Sequence, residues 1–448
     1  MPTAPPRFLI VDYNLSRVDD VRHMRRYARE RHGALTTLVR ARPGESDTRI
    51  SDEVIDLDPL DADFAERGEK LLGPRRAEFA AGIVFSDNAV HSGAELLRRL
   101  GLRVDAPEPA EAAFCKLAYR DAERAGGALL SAQRVLVPDY TRVETVADLR
   151  EFARRHPGGF VVKPAKEGNN RGVVLVRPGD DLDAAFAEVR PYVRDGVLCE
   201  QLIPYRREFS YDGLGSLSFV TEKVSAAGRY PVEVAQVLPA RVSPAGHATL
   251  RRAGRLANWL VGQCDGPFHN EIKLSDDDTH AAVVEPNRRP AGMRIWSLAS
   301  WVHGVDLYEK WVDAAFGLPA GGDLPDADRS AATVMLGVAT DRGFAPADVR
   351  PGAAPFDDAL AATRARHGLA ADELTATEFG WLARERRDLH AVPRDNADFA
   401  AQCCVLLHSA HADIRDVVHT LRELWPAALD AACDAPDTDR RSTLLEAC

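Results

Sequence analysis

Two stretches of the chain gather side chains that could do chemistry. In the first, residues 160–173 (FVVKPAKEGNNRGV), Phe160, Val161 and Val162 form a short run of β-formers after Gly158 and Gly159, which predicts a strand. Lys163 stands at its mouth, ahead of a polar loop over 165–172 that holds Lys166, Asn170, Arg171 and Gly172. A point charge beside mobile backbone N–H groups and further cations suits a polyphosphate. The second stretch, residues 266–293 (GPFHNEIKLSDDDTHAAVVEPNRRPAGM), predicts two paired strands, 268–274 and 280–286, about a polar turn at 275–278. A hairpin of this length can set Glu271 beside Glu285, and Asn287, two residues beyond Glu285, projects to the same face. Three oxygen donors converging beside a polyphosphate make a magnesium site, because Mg²⁺ takes carboxylate, amide and phosphate oxygens rather than thiols. Buried acids without a cation would repel one another. Arg288 and Arg289 follow directly, and a guanidinium at that face can hold a carboxylate or a developing oxyanion bidentately.

The elements that must position these residues read as follows. Strands at 7–11, 35–39, 53–57 and 82–86 alternate with helices at 16–31 and 90–100, which predicts a parallel α/β unit over residues 1–108. The turn after the first strand, DYNLSR, lacks glycine, and neither GxGxxG nor GxxxxGK[ST] occurs in the chain. The unit is therefore Rossmann-like, with strand ends at Asp12, Ser86 and Asp87 that suit a substrate rather than a dinucleotide, although an ordinary loop cap is the commoner role of each such residue taken singly. Pro107 and Pro109 mark a boundary. A helix over 110–124 carries Lys116 and Arg120 on one face; solvent exposure is the commoner fate of such residues. A strand at 135–137 and a short helix at 147–155 lead to the first stretch. Strands at 197–202 and 219–224, with Glu200 and Glu208 flanking the connection after the first of them, predict an antiparallel sheet. An amphipathic helix over 245–263 covers it. Residues 318–328 read as a linker, and the region to 448 as a strand at 332–339 followed by a helical end over 396–432. On that helix Cys404, His408 and His411 would share a face, but the missing fourth ligand favours packing and surface roles over zinc.

The chain as a whole narrows the function. Its 448 residues predict two to four structural units. With 57 Lys and Arg against 68 Asp and Glu, the net charge of −11 argues against nucleic acid as the main partner. Seven scattered cysteines without a CxxC pair fit reduced thiols. No apolar run reaches transmembrane length and no signal-peptide pattern opens the chain, so the expectation is a soluble cytoplasmic protein.

Taken in order, these pieces resemble the ATP-grasp superfamily, and within it the carboxylate–amine ligases typified by L-amino acid ligases. The resemblance covers about residues 110–317. It rests on K-x-x-x-R (Lys116, Arg120), V-V-K-P with a loop ending R-G-V, a hinge strand with Glu200, E-F-S from Glu208, H-x-E (His269, Glu271) and E-x-N-x-R (Glu285, Asn287, Arg289). It implies an ATP-grasp domain over 109–317, after the Rossmann-like domain over 1–108. A C-terminal domain over 318–448 would shape the substrate pocket. Lys116 and Lys163 would be the nucleotide lysines, residues 165–172 the phosphate lid, Glu200, Gln201, Leu202 and Ile203 the adenine hinge, and Glu208 the ribose contact. Glu271, Glu285 and Asn287 would bind two Mg²⁺, with Mn²⁺ as a substitute, and Arg289 would stabilise the acyl-phosphate and tetrahedral oxyanions. H-x-E is similar to the L-amino acid ligase branch, where D-alanine ligases show R-x-D. The usual N-P-R-x-G-G reads N-R-R-P-A-G here, which leaves the substrate met by Arg288 and the following loop open.

The implied reaction is ATP-dependent amide formation between a small carboxylate and an amine through an acyl phosphate, with a possible homodimer as the assembly. Two alternatives stand beside it. Transfer of the acyl group to a thiol such as coenzyme A would need a basic diphosphate pocket that the sequence does not display. A non-catalytic nucleotide-binding regulator would usually have lost a metal ligand, and all three are present.

Overall fold

The computed structural model describes residues 5–168, 171–226, 230 and 232–433. They form two compact units: Met1–Glu167, Gly172–Glu222 and Pro239–Asp326 in the first, Gly168–Arg171, Lys223–Leu238 and Ala327–Cys448 in the second.

The first unit opens with a parallel sheet in the order Glu53–Asp56, Leu35–Arg40, Arg7–Val11, Phe79–Val84. Strand Arg7–Val11 is central and its last four residues are buried, as expected of a parallel strand covered on both faces. Helix Val18–His32 follows and ends at Gly33, whose φ of 62° is the left-handed stop that a glycine takes without strain. Phe85, next to the last strand, lies edge-on to Trp311 and Tyr308 of helix Leu307–Ala315, and Trp296 packs on both. This aromatic cluster ties the ends of the parallel strands to the segment after the hairpin.

A second, antiparallel sheet runs Tyr140–Val143, Val197–Gln201, Phe160–Pro164, Val174–Val176. A third contains, side by side, Ala281–Asn287, Pro267–Leu274, Arg207–Leu214 and Leu217–Ser225. Helix Pro244–Leu260, capped by Ser243, lays Leu250, Ala253 and Ala257 against it. The two strands predicted around Glu200 and Glu208 therefore belong to different sheets. The helix predicted over 110–124 is instead a 3-10 turn, Glu108–Ala113, followed by helix Lys116–Ala125. Cys115 is extended between them, and the Lys116 N–H donates to the Ala165 carbonyl at 2.8 Å. Residues 135–137 make a single bridge, Val135 to Ala281, rather than a strand.

The second unit contains strands Glu233–Leu238, Ser330–Leu336, Ala401–Leu407 and Leu374–Trp381, neighbours in that order. Helices Pro355–His367 and Ile414–Ala432 pack in the same core around Trp425 and Phe356. The helical end predicted from residue 396 is corrected. A short turn, Asn396–Asp398, leads to strand Ala401–Leu407, and only then to the helix. A buried apolar run such as AQCCVLL has no period that separates strand from helix, and pairing on both sides decides it. Cys404, in mid-strand beside Thr333, thus shares no helical face with His408 and His411. Among the described residues no helix is long and apolar enough to cross a membrane.

Candidate active site

The hairpin formed by Pro267–Leu274 and Ala281–Asn287 places Glu271 directly opposite Glu285, and His269 opposite Asn287. The register then slips: Ile272 faces Val283, so Val284 is the extra residue of a β-bulge. The bulge leaves carbonyls outside the ladder, and Arg120 takes two of them, donating from Nη1 to Val283 O and from Nη2 to Val284 O, each at 3.1 Å. The kink that aims Glu285 is thus held by an arginine from another element.

Arg120 itself is buried, contrary to the exposed role usual for arginine. Its Nε donates to Glu200 at 2.7 Å and its Nη1 to Glu123 at 2.5 Å. Lys163 Nζ donates to the other Glu200 oxygen at 3.1 Å. Burial pushes the Glu200 carboxyl up, but the adjoining Arg120 and Lys163 cations outweigh it and hold it at about 2. Burial is also the largest influence on Lys163 and leaves its ammonium below the ordinary lysine value, despite Glu200. Glu123 is pushed up by the same burial, against Arg120.

At the more open end, Lys116 Nζ lies 2.9 Å from Glu285 Oε2 and donates to the Glu167 carbonyl at 2.8 Å. Burial works against its charge; Glu285 and Glu271 outweigh that and raise it. Glu285 is lowered, with burial opposed by the Lys116 charge and Glu271 working the other way. Arg289 Nε reaches both oxygens of Asp87 at 2.8 Å, and its Nη1 donates to Pro290 O at 3.1 Å. Asp87 follows strand Phe79–Val84, next to Ser86, whose hydroxyl donates to Asp12 at 2.6 Å. Asp87, beyond the end of a parallel strand, therefore meets the arginine that follows the hairpin.

His269 donates from Nδ1 to Asp212 at 2.6 Å, and its Nε2 lies 3.5 Å from Glu271. Burial lowers its pKa, but Asp212 and Glu271 carry it up to about 9. Asp212 also accepts from Ser210 and Thr221. Neither Asp212 nor Glu123 was recognisable in sequence; the only signal for Asp212 is that it alternates with Ser210 and Glu208 along one strand.

The remaining predicted residues fall as follows. Arg288 turns away from the acids: its Nη1 donates to Ala106 O and Val261 O, because consecutive residues of an extended chain face opposite ways. Of the two arginines it is Arg289 that feels the charges of Glu285 and Glu271. Lys166 pairs with Glu111 at 3.0 Å, and Glu208 with Lys273 at 2.7 Å. Gln201 bonds through its backbone N–H and side-chain oxygen to Asp139, while Leu202 and Ile203, half-buried, continue past the strand end. Arg171 donates its N–H to the Gly168 carbonyl. Asn170 lies outside the described residues. Gly172 has φ of 70°, and a Cβ there would come within 2.8 Å of Tyr192 and 2.9 Å of Pro164, so the loop exit admits no side chain.

Glu271, Glu285 and Asn287 fit magnesium on donor chemistry: all are hard oxygen ligands, from one hairpin, and the opposed carboxylates already attract one cation, Lys116. A second group of potential donors, His23, Asp306 and Glu309, also converges. There Asp306 caps helix Leu307–Ala315 and pairs with His23 at 2.9 Å, which accounts for the grouping as a cap and an ion pair.

A small parallel α/β sheet, an antiparallel sheet with a lysine and a polar loop, and a hairpin with opposed acids, in that order, make up the ATP-grasp fold, and the chain resembles the carboxylate–amine ligases that share it. The L-amino acid ligase of Bacillus licheniformis superimposes with a TM-score of 0.70 at 16% identity, covering 94% of this chain and 98% of that one. The carboxyaminoimidazole ribonucleotide synthase of Aspergillus clavatus, complexed with ATP, gives a TM-score of 0.63 at 13% identity, covering 94% and 99%. In sequence, the D-alanine–D-alanine ligase of Acidiphilium cryptum (strain JF-5) is 27% identical over 150 residues, 32% of this chain. The match spans 48% of the length of that curated relative. No protein-family model matches the chain.

Proposed function

We propose that the protein is an ATP-dependent ligase that joins a carboxylate to an amine, both amino-acid-like, through an acyl phosphate, releasing ADP and phosphate. The observation that carries this reading is the hairpin: two carboxylates face to face, an amide on the same face, and an arginine two residues further on. Likeness to the Bacillus licheniformis L-amino acid ligase, with H-x-E at His269 and Glu271, favours amino acids as substrates.

In this reading Lys163 and Lys116 meet the nucleotide near its α-phosphate and adenine, the loop over 165–172 covers the phosphates, Glu200 to Ile203 line the adenine and Glu208 meets the ribose. Glu271, Glu285 and Asn287 would hold magnesium, two ions by resemblance, which when bound spreads the charge of the triphosphate. A carboxylate oxygen of the first substrate attacks the γ-phosphorus as the bond to the ADP oxygen breaks. The amine nitrogen of the second substrate then attacks the acyl carbon and loses a proton, the bond between that carbon and the bridging oxygen breaks, and phosphate departs with the oxygen. Arg289 faces the oxyanion of that tetrahedral step. Closure of the loop keeps water from the acyl phosphate.

The test is phosphate release over a panel of amino acid pairs, with mass spectrometry of the products. An amide product and its loss in Glu285→Ala are the expected results. Turnover by Glu285→Ala equal to that of the wild type would overturn the assignment.

A further inference from the structure

We infer that Asp87, in the turn after the last strand of the parallel N-terminal sheet, is a positioning residue that sets the orientation of Arg289 for the acyl-transfer step. The inference rests on the ligase reading above, because it takes Arg289 as the group that meets the oxyanion.

The geometry is specific. Both oxygens of Asp87 lie 2.8 Å from Arg289 Nε, and Nη1 is held by the Pro290 carbonyl at 3.1 Å. Two of the three guanidinium nitrogens are thereby committed to protein, and the plane of the group is set by two independent acceptors. An arginine side chain otherwise has several rotatable bonds to arrest before its planar fork can meet a small anion. Fixing Nε and one edge in advance removes that cost and turns the remaining Nη2 edge into a preoriented donor. Asp87 is itself held by its surroundings. The adjacent Phe85 packs against Tyr308 and Trp311, and Ser86 donates to Asp12. The loop beyond Arg289 is gripped from the N-terminal region as well, since Arg17, in the turn ahead of helix Val18–His32, donates to the carbonyls of Pro290 and Ala291 and to the Tyr308 hydroxyl. The N-terminal unit thus aligns a residue of the hairpin rather than only presenting strand ends to a substrate. At 35% exposure Asp87 can be replaced without emptying a core.

The test compares wild type, Asp87→Asn, Asp87→Ala and Asp87→Glu in phosphate release with amino acid substrates, alongside NMR of the arginine Nε–H groups. The Arg289 signal is identified by its absence in Arg289→Lys. The expected result is a 10- to 100-fold loss of kcat in Asp87→Ala, KM for ATP and the melting temperature near those of the wild type, partial recovery in Asp87→Glu, and a shifted, faster-exchanging Arg289 signal in Asp87→Ala. An unchanged kcat or an unchanged signal in Asp87→Ala would overturn the inference. So would a rise in KM for the amine alone, which would make Asp87 a substrate contact. Absence of phosphate release by the wild type would instead bring down the ligase reading, and with it the catalytic meaning of the pair.

Discussion

The two charged clusters of the site differ in how completely they are closed. Around Glu200 the exposures are 1% for Arg120, 3% for Glu200 and 5% for Lys163, and each is paired within the cluster. Around Glu285 they rise to 14% for Lys116, 23% for Glu285 and 22% for Arg289. Breaking a buried pair strands a charge in a medium that cannot solvate it, so the first cluster behaves as framework. In the second, water reaches the groups, and pairs such as Lys116–Glu285 can be exchanged for ligand contacts at modest cost.

That contrast can be broken first at Glu285. Glu285→Ala should reduce ADP release at least about 10³-fold while leaving the fold intact, checked by coupled assay and circular dichroism. In the closed cluster the effect should fall on stability instead. Arg120→Met leaves Glu200 short of a partner and frees the bulge carbonyls, and should cost about 3–5 kcal/mol in denaturant unfolding. A value under about 1 kcal/mol would show that the cluster is not the framework described.

The neighbouring arginines sharpen the comparison. Arg289→Ala should lower kcat about 10²-fold with little change in melting temperature. Arg288→Ala, which strips donors from Ala106 and Val261, should cost about 1–3 kcal/mol of stability and leave kcat near wild type. The reverse pattern would exchange their roles.

Acid titration separates the clusters again. Because Glu200 is held near 2 when folded, below its ordinary 4.5, its contribution is present above pH 4.5 and is lost as pH falls toward 2. Unfolding free energy should therefore fall by roughly 3 kcal/mol across that window on account of this group, and the slope should shrink in Glu200→Gln. The smallest effect is expected at Glu208: Glu208→Gln should raise KM for ATP about 10-fold at unchanged kcat, if a nucleotide ribose replaces Lys273 as its partner.

How much of this was legible in the chain varies with the range of the interaction. The opposed Glu271 and Glu285 follow from the length of the hairpin, and the shared face of Glu285 and Asn287 from the two-residue period of a strand. The same period could have told Arg288 from Arg289, since neighbours in extended chain point apart. The extent of the 401–407 strand could not be read, because a short run of buried apolar residues suits either regular structure until a partner strand is supplied.

By itself, then, the sequence determined the local parts: the strand and loop around Lys163, the acid-bearing hairpin, the parallel unit without a dinucleotide loop. Tertiary structure alone decided which charges meet. Arg120 finds Glu200 across 80 residues of chain, and Arg289 finds Asp87 across 202. No local pattern encodes such pairs. A lysine or arginine on a helix reads the same whether it faces water or a buried carboxylate, and its charge acquires a role only when packing removes the solvent that would otherwise satisfy it.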